Sequence, residues 1–186
     1  MRKLPAEIVA SALAVTIIFI VLLPYHLPPW AIFITWAGTF AAGGPTPAML
    51  RKIWPTMFVG NIFAFVIVLC FNLAATQLVG PALIAAECVI LFTLNATMMS
   101  LGRLPLFSFI PGMFFGFASY FATYFGGFGP VPRDPVAALG AVMLMNALGP
   151  AYAWLTARYG AHHHHAGETH AETPTVKPVM ARANAS

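Results

Sequence analysis

The sequence predicts an all-α polytopic membrane protein of six transmembrane helices, arranged as an inverted 3+3 repeat with short or broken second and fifth spans. Three observations carry this prediction. Hydrophobic residues make up 60% of the 186 and charged residues 8%, against about 25% charged in soluble domains. A chain this small has too much exterior to hide so much apolar surface from water. The apolar residues gather in six segments, near 6–23, 28–43, 54–76, 81–100, 104–125 and 135–157. Two of those segments end alike, in "TFAAGGP" at 39–45 and "TYFGGFGP" at 123–130.

The first segment follows Arg2-Lys3 and ends at Pro24-Tyr25-His26 with no small-x-small cleavage site, so it reads as a retained span and not a removable signal. The second is short: from Trp30, about thirteen residues pass before Gly43-Gly44-Pro45, where a helix needs roughly 20 to cross hydrocarbon. The first, third, fourth and sixth are long enough to cross as ordinary helices. The fifth carries an internal Pro111-Gly112, and a proline there frees the carbonyl of Phe107; Pro150 does the same to Asn146 in the sixth. Brief connections such as QLVGP and LGR favour antiparallel neighbours in one bundle.

Charge sets the orientation. An inside N-terminus places Arg2, Lys3, Arg51, Lys52, Arg103 and Arg158 on the inner side and leaves only Arg133, offset by Asp134, outside. The positive-inside rule then puts both termini in the cytoplasm of a cell whose inner membrane holds the chain. Residues 1–158 form the six-span domain, and 159–186 read as a disordered cytoplasmic tail, polar and without periodicity. His162, His163, His164, His165 and His170 are weak metal-ligand candidates, because imidazole is the usual ligand. A tail with no structure cannot fix coordination geometry, so no metal or cofactor is assigned. The basic residues form no patch, which excludes nucleic acid as a partner.

Two halves of three spans each enter the membrane from opposite sides, so a duplicated unit must be inverted. Gly/Pro breaks at matching places in two halves are the best sequence pointer to a solute site, because lipid tolerates irregular backbone only inside protein or beside a wet cavity. The breaks are Gly43, Gly44, Gly126, Gly127, Pro111, Gly112 and Pro150. The plainer reading is that these residues end helices and permit close packing. Polar groups at membrane depth supply the solute contacts: Glu87, the only acid well inside a span, with Asn61, Asn95, Asn146, Thr39 and Thr123. Their plainer role is helix–helix hydrogen bonding. Gly112-x-x-x-Gly116 is a small-residue stripe that normally means close helix packing. No HExxH, GxSxG, Walker or GxGxxG pattern occurs, and one buried acid without a partner base does not make an enzyme.

The aromatic-rich second span "PPWAIFITWAGTFAAGG", the Gly-broken fifth span and the compact layout resemble YcdZ-type proteins, a bacterial inner-membrane family of unknown function, over about residues 6–158. That family implies a membrane setting and no substrate. More distantly, the plan is similar to aquaporin-type and formate-channel folds and, in size, to bacterial urea channels; the Asn-Pro-Ala box is missing, since Asn146 is followed by Ala147-Leu148. The expectation is therefore a homo-oligomeric channel or facilitator for a small neutral or weakly ionised solute. The alternatives are a proton-coupled secondary transporter using Glu87, or a non-transporting accessory membrane subunit.

Overall fold

A computed structural model describes residues 3–161; the histidine candidates at 162–165 and 170 lie outside the described residues. The chain is all-α, with six α-helices among the described residues: α1 Ala6–Val21, α2 Pro29–Ala41, α3 Pro47–Ala75, α4 Gly80–Ser100, α5 Ile110–Phe125 and α6 Pro135–Tyr159. Three of them, α3, α6 and α4 with its extension to Arg103, are long and apolar enough to cross a membrane. At the two ends of the described residues, β1 Leu4–Pro5 pairs in parallel with β2 Gly160–Ala161. That two-residue ladder holds the start of α1 and the end of α6 at one end of the bundle.

Five helices begin with proline in the first turn, at Pro29, Pro47, Pro81, Pro111 and Pro135, where the missing N–H costs no helical bond. Pro47 moves the third helix seven residues earlier than the sequence suggests. Thr46 caps it by accepting from the Met49 N–H at 3.2 Å, and the helix carries Arg51 and Lys52 within it instead of in a loop. Asp134 caps α6 in the same way, accepting from Ala137 N–H at 2.6 Å.

The fifth segment is corrected more sharply. Two 3₁₀ turns, Leu101–Arg103 and Pro105–Phe107, precede α5, which starts only at Ile110. Pro111 therefore stands in the first turn and not inside a span, so it frees no carbonyl of Phe107 from an established helix. The break predicted at Pro111-Gly112 is a helix start.

The paired glycines are also helix ends. After α2, the N–H groups of Ala42, Gly43 and Gly44 donate to Gly38, Phe40 and Thr39. After α5, those of Gly126, Gly127 and Phe128 donate to Ala122, Tyr124 and Thr123. Both sets form a Schellman cap. Each residue of the first maps onto the one 84 positions later, Thr39 to Thr123 and Gly43 to Gly127. Gly43 and Gly127 hold φ of 100° and 72°, which glycine alone adopts without steric cost. A side chain at Gly43, Gly44 or Gly127 would meet nothing nearby. These residues face open space and not an enclosed passage.

Packing places α2, α3, α5 and α6 at the centre, with the closest pairings α3 on α5 and α2 on α6. α1 lies against α6, and α4 against α3. Exchanging the first three helices for the last three leaves this pattern unchanged. The core is built from Ile32, Trp36, Val68, Tyr120, Val142 and Met145, among others. α4 contributes little: 6% of its apolar window is buried, against 44% for α6.

Candidate functional site

The four central helices enclose polar side chains. Thr35 and Thr39 of α2, Asn61 of α3, Ser119 and Thr123 of α5, and Asn146 of α6 all have no exposed surface. Asn146 Nδ2 donates to Asn61 Oδ1 at 3.1 Å, which joins the two long helices side chain to side chain. The pair stays half satisfied. Asn61 Nδ2 and Asn146 Oδ1 have no hydrogen-bond partner, and neither does Ser119 Oγ. One bare donor, one bare acceptor and a hydroxyl that can act as either are thus retained in the core.

The backbone beside this pair is shaped by Gly149-Pro150. Pro150 lies inside α6 and has no N–H to return to the Asn146 carbonyl. Thr35 of α2 supplies the missing donor: its hydroxyl lies 3.0 Å from that carbonyl oxygen, and its proton is shared with the Ala31 carbonyl at 2.8 Å. Gly149 makes the approach feasible, because a Cβ there would collide with the Thr35 hydroxyl and crowd the Ile32 carbonyl. A second donor arrives from α3, where Trp54 Nε1 reaches the Ala147 carbonyl at 3.2 Å. The segment around Pro150 is thus held by two neighbouring helices.

Removing Thr35's hydroxyl tests this arrangement. Thr35→Val leaves the Asn146 carbonyl without its donor and is expected to destabilise by about 1–3 kcal/mol. In a Pro150→Ala background the restored N–H at position 150 takes that carbonyl, so the same substitution costs clearly less. Equal losses in both backgrounds, read from thermal unfolding in detergent, would show that the hydroxyl does not serve that carbonyl.

Two turns of close contact tie α3 to α5. A Cβ at Gly60 would overlap the Met113 carbonyl, and one at Gly116 would overlap the Met57 carbonyl. Gly112 packs on Thr56 in the same way. The Gly112-x-x-x-Gly116 stripe is therefore a helix–helix contact. Gly140, which its position five residues after a proline pairs with Gly60, meets nothing within reach. The two glycines are not equivalent.

Of the candidate solute contacts, the structure brings Asn61 and Asn146 together, and it buries Thr39 and Thr123 near the C-terminal ends of α2 and α5. Those two hydroxyls fold back on their own helices, donating to the carbonyls of Thr35 at 2.6 Å and Ser119 at 2.7 Å. The match again follows the 84-residue shift. Glu87 and Asn95 do not join the group. They sit half-buried on the flank of α4, and α4 packs chiefly on α3. Asn95 Nδ2 faces the Met99 sulfur at 3.9 Å and its Oδ1 has no partner. Asn72 pairs with the Tyr124 hydroxyl, donating at 3.0 Å. Among the described residues no cluster of three or more His, Cys, Asp or Glu could hold a metal. The sequence reading overlooked Gly149 and Trp54 as parts of the site; the Gly-Pro dipeptide beside Asn146 was the available signal.

No curated protein and no solved structure matches the chain significantly. A family profile described as "Protein of unknown function (DUF1097)" matches residues 7–161, the whole helical bundle. The chain belongs to this DUF1097 family, whose function is unknown.

Proposed function

We propose that the chain is a six-span facilitator for a small neutral or weakly ionised solute, built as an inverted 3+3 repeat and working as a homo-oligomer in a bacterial inner membrane. The observation that carries this reading is the fully buried Asn61–Asn146 pair with its unused donor and acceptor. In hydrocarbon each unpaired polar group costs several kcal/mol, so a core that keeps both has a reason to hold them. A urea-like amide, ammonia or the neutral form of a short acid carries the complementary groups.

The repeat is supported by the matched Schellman caps, the matched Thr39 and Thr123 hydrogen bonds and the exchangeable packing pattern. Both termini on the cytoplasmic side is supported by charge. The end where Leu4 meets Gly160 carries Lys3, Arg51, Lys52, Arg103 and Arg158, as the positive-inside rule requires. At the opposite end, the Gly129 N–H donates to the His26 carbonyl at 2.9 Å and ties two loops together. α1, α2 and α5, of 16, 13 and 16 residues, reach about 24, 20 and 24 Å. Short spans of this kind thin the bilayer around them or tilt their neighbours.

Fully buried Met57, Met113 and Met145 pack the same core with Tyr120, so this is a closed arrangement. Flexible thioethers repack readily, and passage requires them to move. The likeness to YcdZ-type proteins adds a shared membrane plan and no substrate.

Flux through reconstituted vesicles tests the reading. Asn61→Leu/Asn146→Leu is expected to remove solute permeation while leaving folded protein, and wild-type vesicles are expected to swell in at least one of urea, ammonium or short-chain acid gradients. Permeation unchanged by the double substitution would overturn the assignment of the path to this pair. Flux driven by a pH gradient and lost in Glu87→Gln would instead favour proton-coupled transport.

A second reading rests on a separate observation, the almost bare α4. A helix so little used inside the bundle suits an accessory subunit that packs on another membrane protein. Absence of flux for every solute, with a stable co-purifying membrane partner, would favour it.

A further inference from the structure

On the outer surface of α3 and α6 lies an apolar recess of about 260 Å³ lined by Leu50, Trp54, Pro150, Ala151 and Trp154. Pro150 lines it, and so does Trp54, whose ring N–H donates to the Ala147 carbonyl. Trp154 forms the rim and is 46% exposed. α3 starts, and α6 ends, at the same end of the bundle, so the recess runs from Pro150 toward that end. Arg51 follows Leu50 and stands three residues before Trp54; Arg158 stands four residues beyond Trp154. Residues so spaced are surface neighbours, about 5–6 Å apart at Cβ. Both arginines are exposed. The end they belong to carries five basic residues against Glu7 alone among the described residues.

We infer that this recess is a site for an anionic phospholipid, one acyl chain lying against Trp54, Pro150 and Trp154 and the headgroup phosphate resting on Arg51 and Arg158. The charge pattern selects this occupant. Basic pockets between spans on the cytoplasmic side recognise acidic headgroups, and guanidinium offers a phosphate paired N–H donors. The other apolar recess, between α1 and α2, is of similar size, about 240 Å³, and is lined only by Ala14, Ile17, Ile18, Val21, Leu22, Pro29 and Phe33. It has no basic residue on its rim and no claim on a phosphate. A lipid wedged on Pro150 and Ala151 would also brace the segment that positions Asn146, but binding itself does not depend on any transport role.

Native mass spectrometry of the full chain, released from micelles supplemented with phosphatidylglycerol or phosphatidylcholine, reads the site directly. The expected result is retention of phosphatidylglycerol over phosphatidylcholine, weakened about thirtyfold in Arg51→Gln/Arg158→Gln, at about fivefold per basic residue. Raised salt should lower it further. Trp154→Ala, which opens the groove without touching charge, should reduce retention of both lipids. Equal retention of the two lipids, or retention of phosphatidylglycerol unaffected by the arginine substitutions, overturns the proposal. So does efficient disulfide formation between copies through Trp154→Cys in a Cys70→Ala/Cys88→Ala background, which would show a second copy in the groove. Either failure leaves the solute reading standing, since flux is measured separately.

Discussion

Gly116→Leu, and equally Gly60→Leu, is expected to abolish the native packing of α3 on α5. At each position the obstacle is a backbone carbonyl of the facing helix, Met57 for Gly116 and Met113 for Gly60, and a carbonyl cannot turn aside as a side-chain tip can. The helices must separate along their closest contact. Overpacking of this kind costs about 3 kcal/mol or more, a fall of roughly 6–12 °C in Tm for a chain of this length. Gly140→Leu is the control: that position is exposed and open, so its change should stay within about 0.5 kcal/mol. Thermal unfolding followed by circular dichroism, with size-exclusion profiles in detergent, separates the two. Similar losses at positions 116 and 140 would mean that α3 and α5 do not meet through these glycines.

The second large effect concerns the asparagine pair. Asn146→Leu strips Asn61 of its hydrogen bond and leaves a whole amide unpaired in a site with no exposure. The expected loss is about 2 kcal/mol, or about 4–8 °C in Tm, and Asn61→Leu should cost the same. The double Leu variant removes both amides, so it should be more stable than either single variant. Coupling of this sort reaches about 0.5–3 kcal/mol for residues in contact. Additive losses would show that the two amides do not depend on each other. The comparison also guards the flux experiment, because it establishes that the double variant is folded before its permeability is read.

Much of the chain could be read without coordinates because its signals are local. A Gly-Gly stop acts within about five residues, and so does the loss of the Asn146 carbonyl's partner to Pro150. The errors were of another kind. Arg51 and Lys52 look like a loop because charge suggests water, yet Thr46 and Pro47 have already begun the helix that carries them. Pro111 looked internal because the apolar run continues through two 3₁₀ turns, where hydropathy does not change. Gly60 and Gly140 each follow a proline by five residues, yet only Gly60 meets a facing helix, whereas the caps at Gly43 and Gly127 share one hydrogen-bond pattern. In sequence those glycines suggest backbone open to a passage; in the structure they close their helices.

Composition and local pattern determined a membrane-like all-α chain, its six helices and the polar residues within them. Tertiary structure decided which of those residues meet. Asn61 and Asn146 are far apart in sequence, as are Thr35 and the carbonyl it serves, and only the packing of α2 and α3 against α6 unites them. Glu87 shares their polarity but rides on a peripheral helix. The reason is physical: a cap or a turn forms from neighbouring peptide groups, whereas a shared site depends on which helix faces can approach, and that depends on glycines whose contacts lie on another helix.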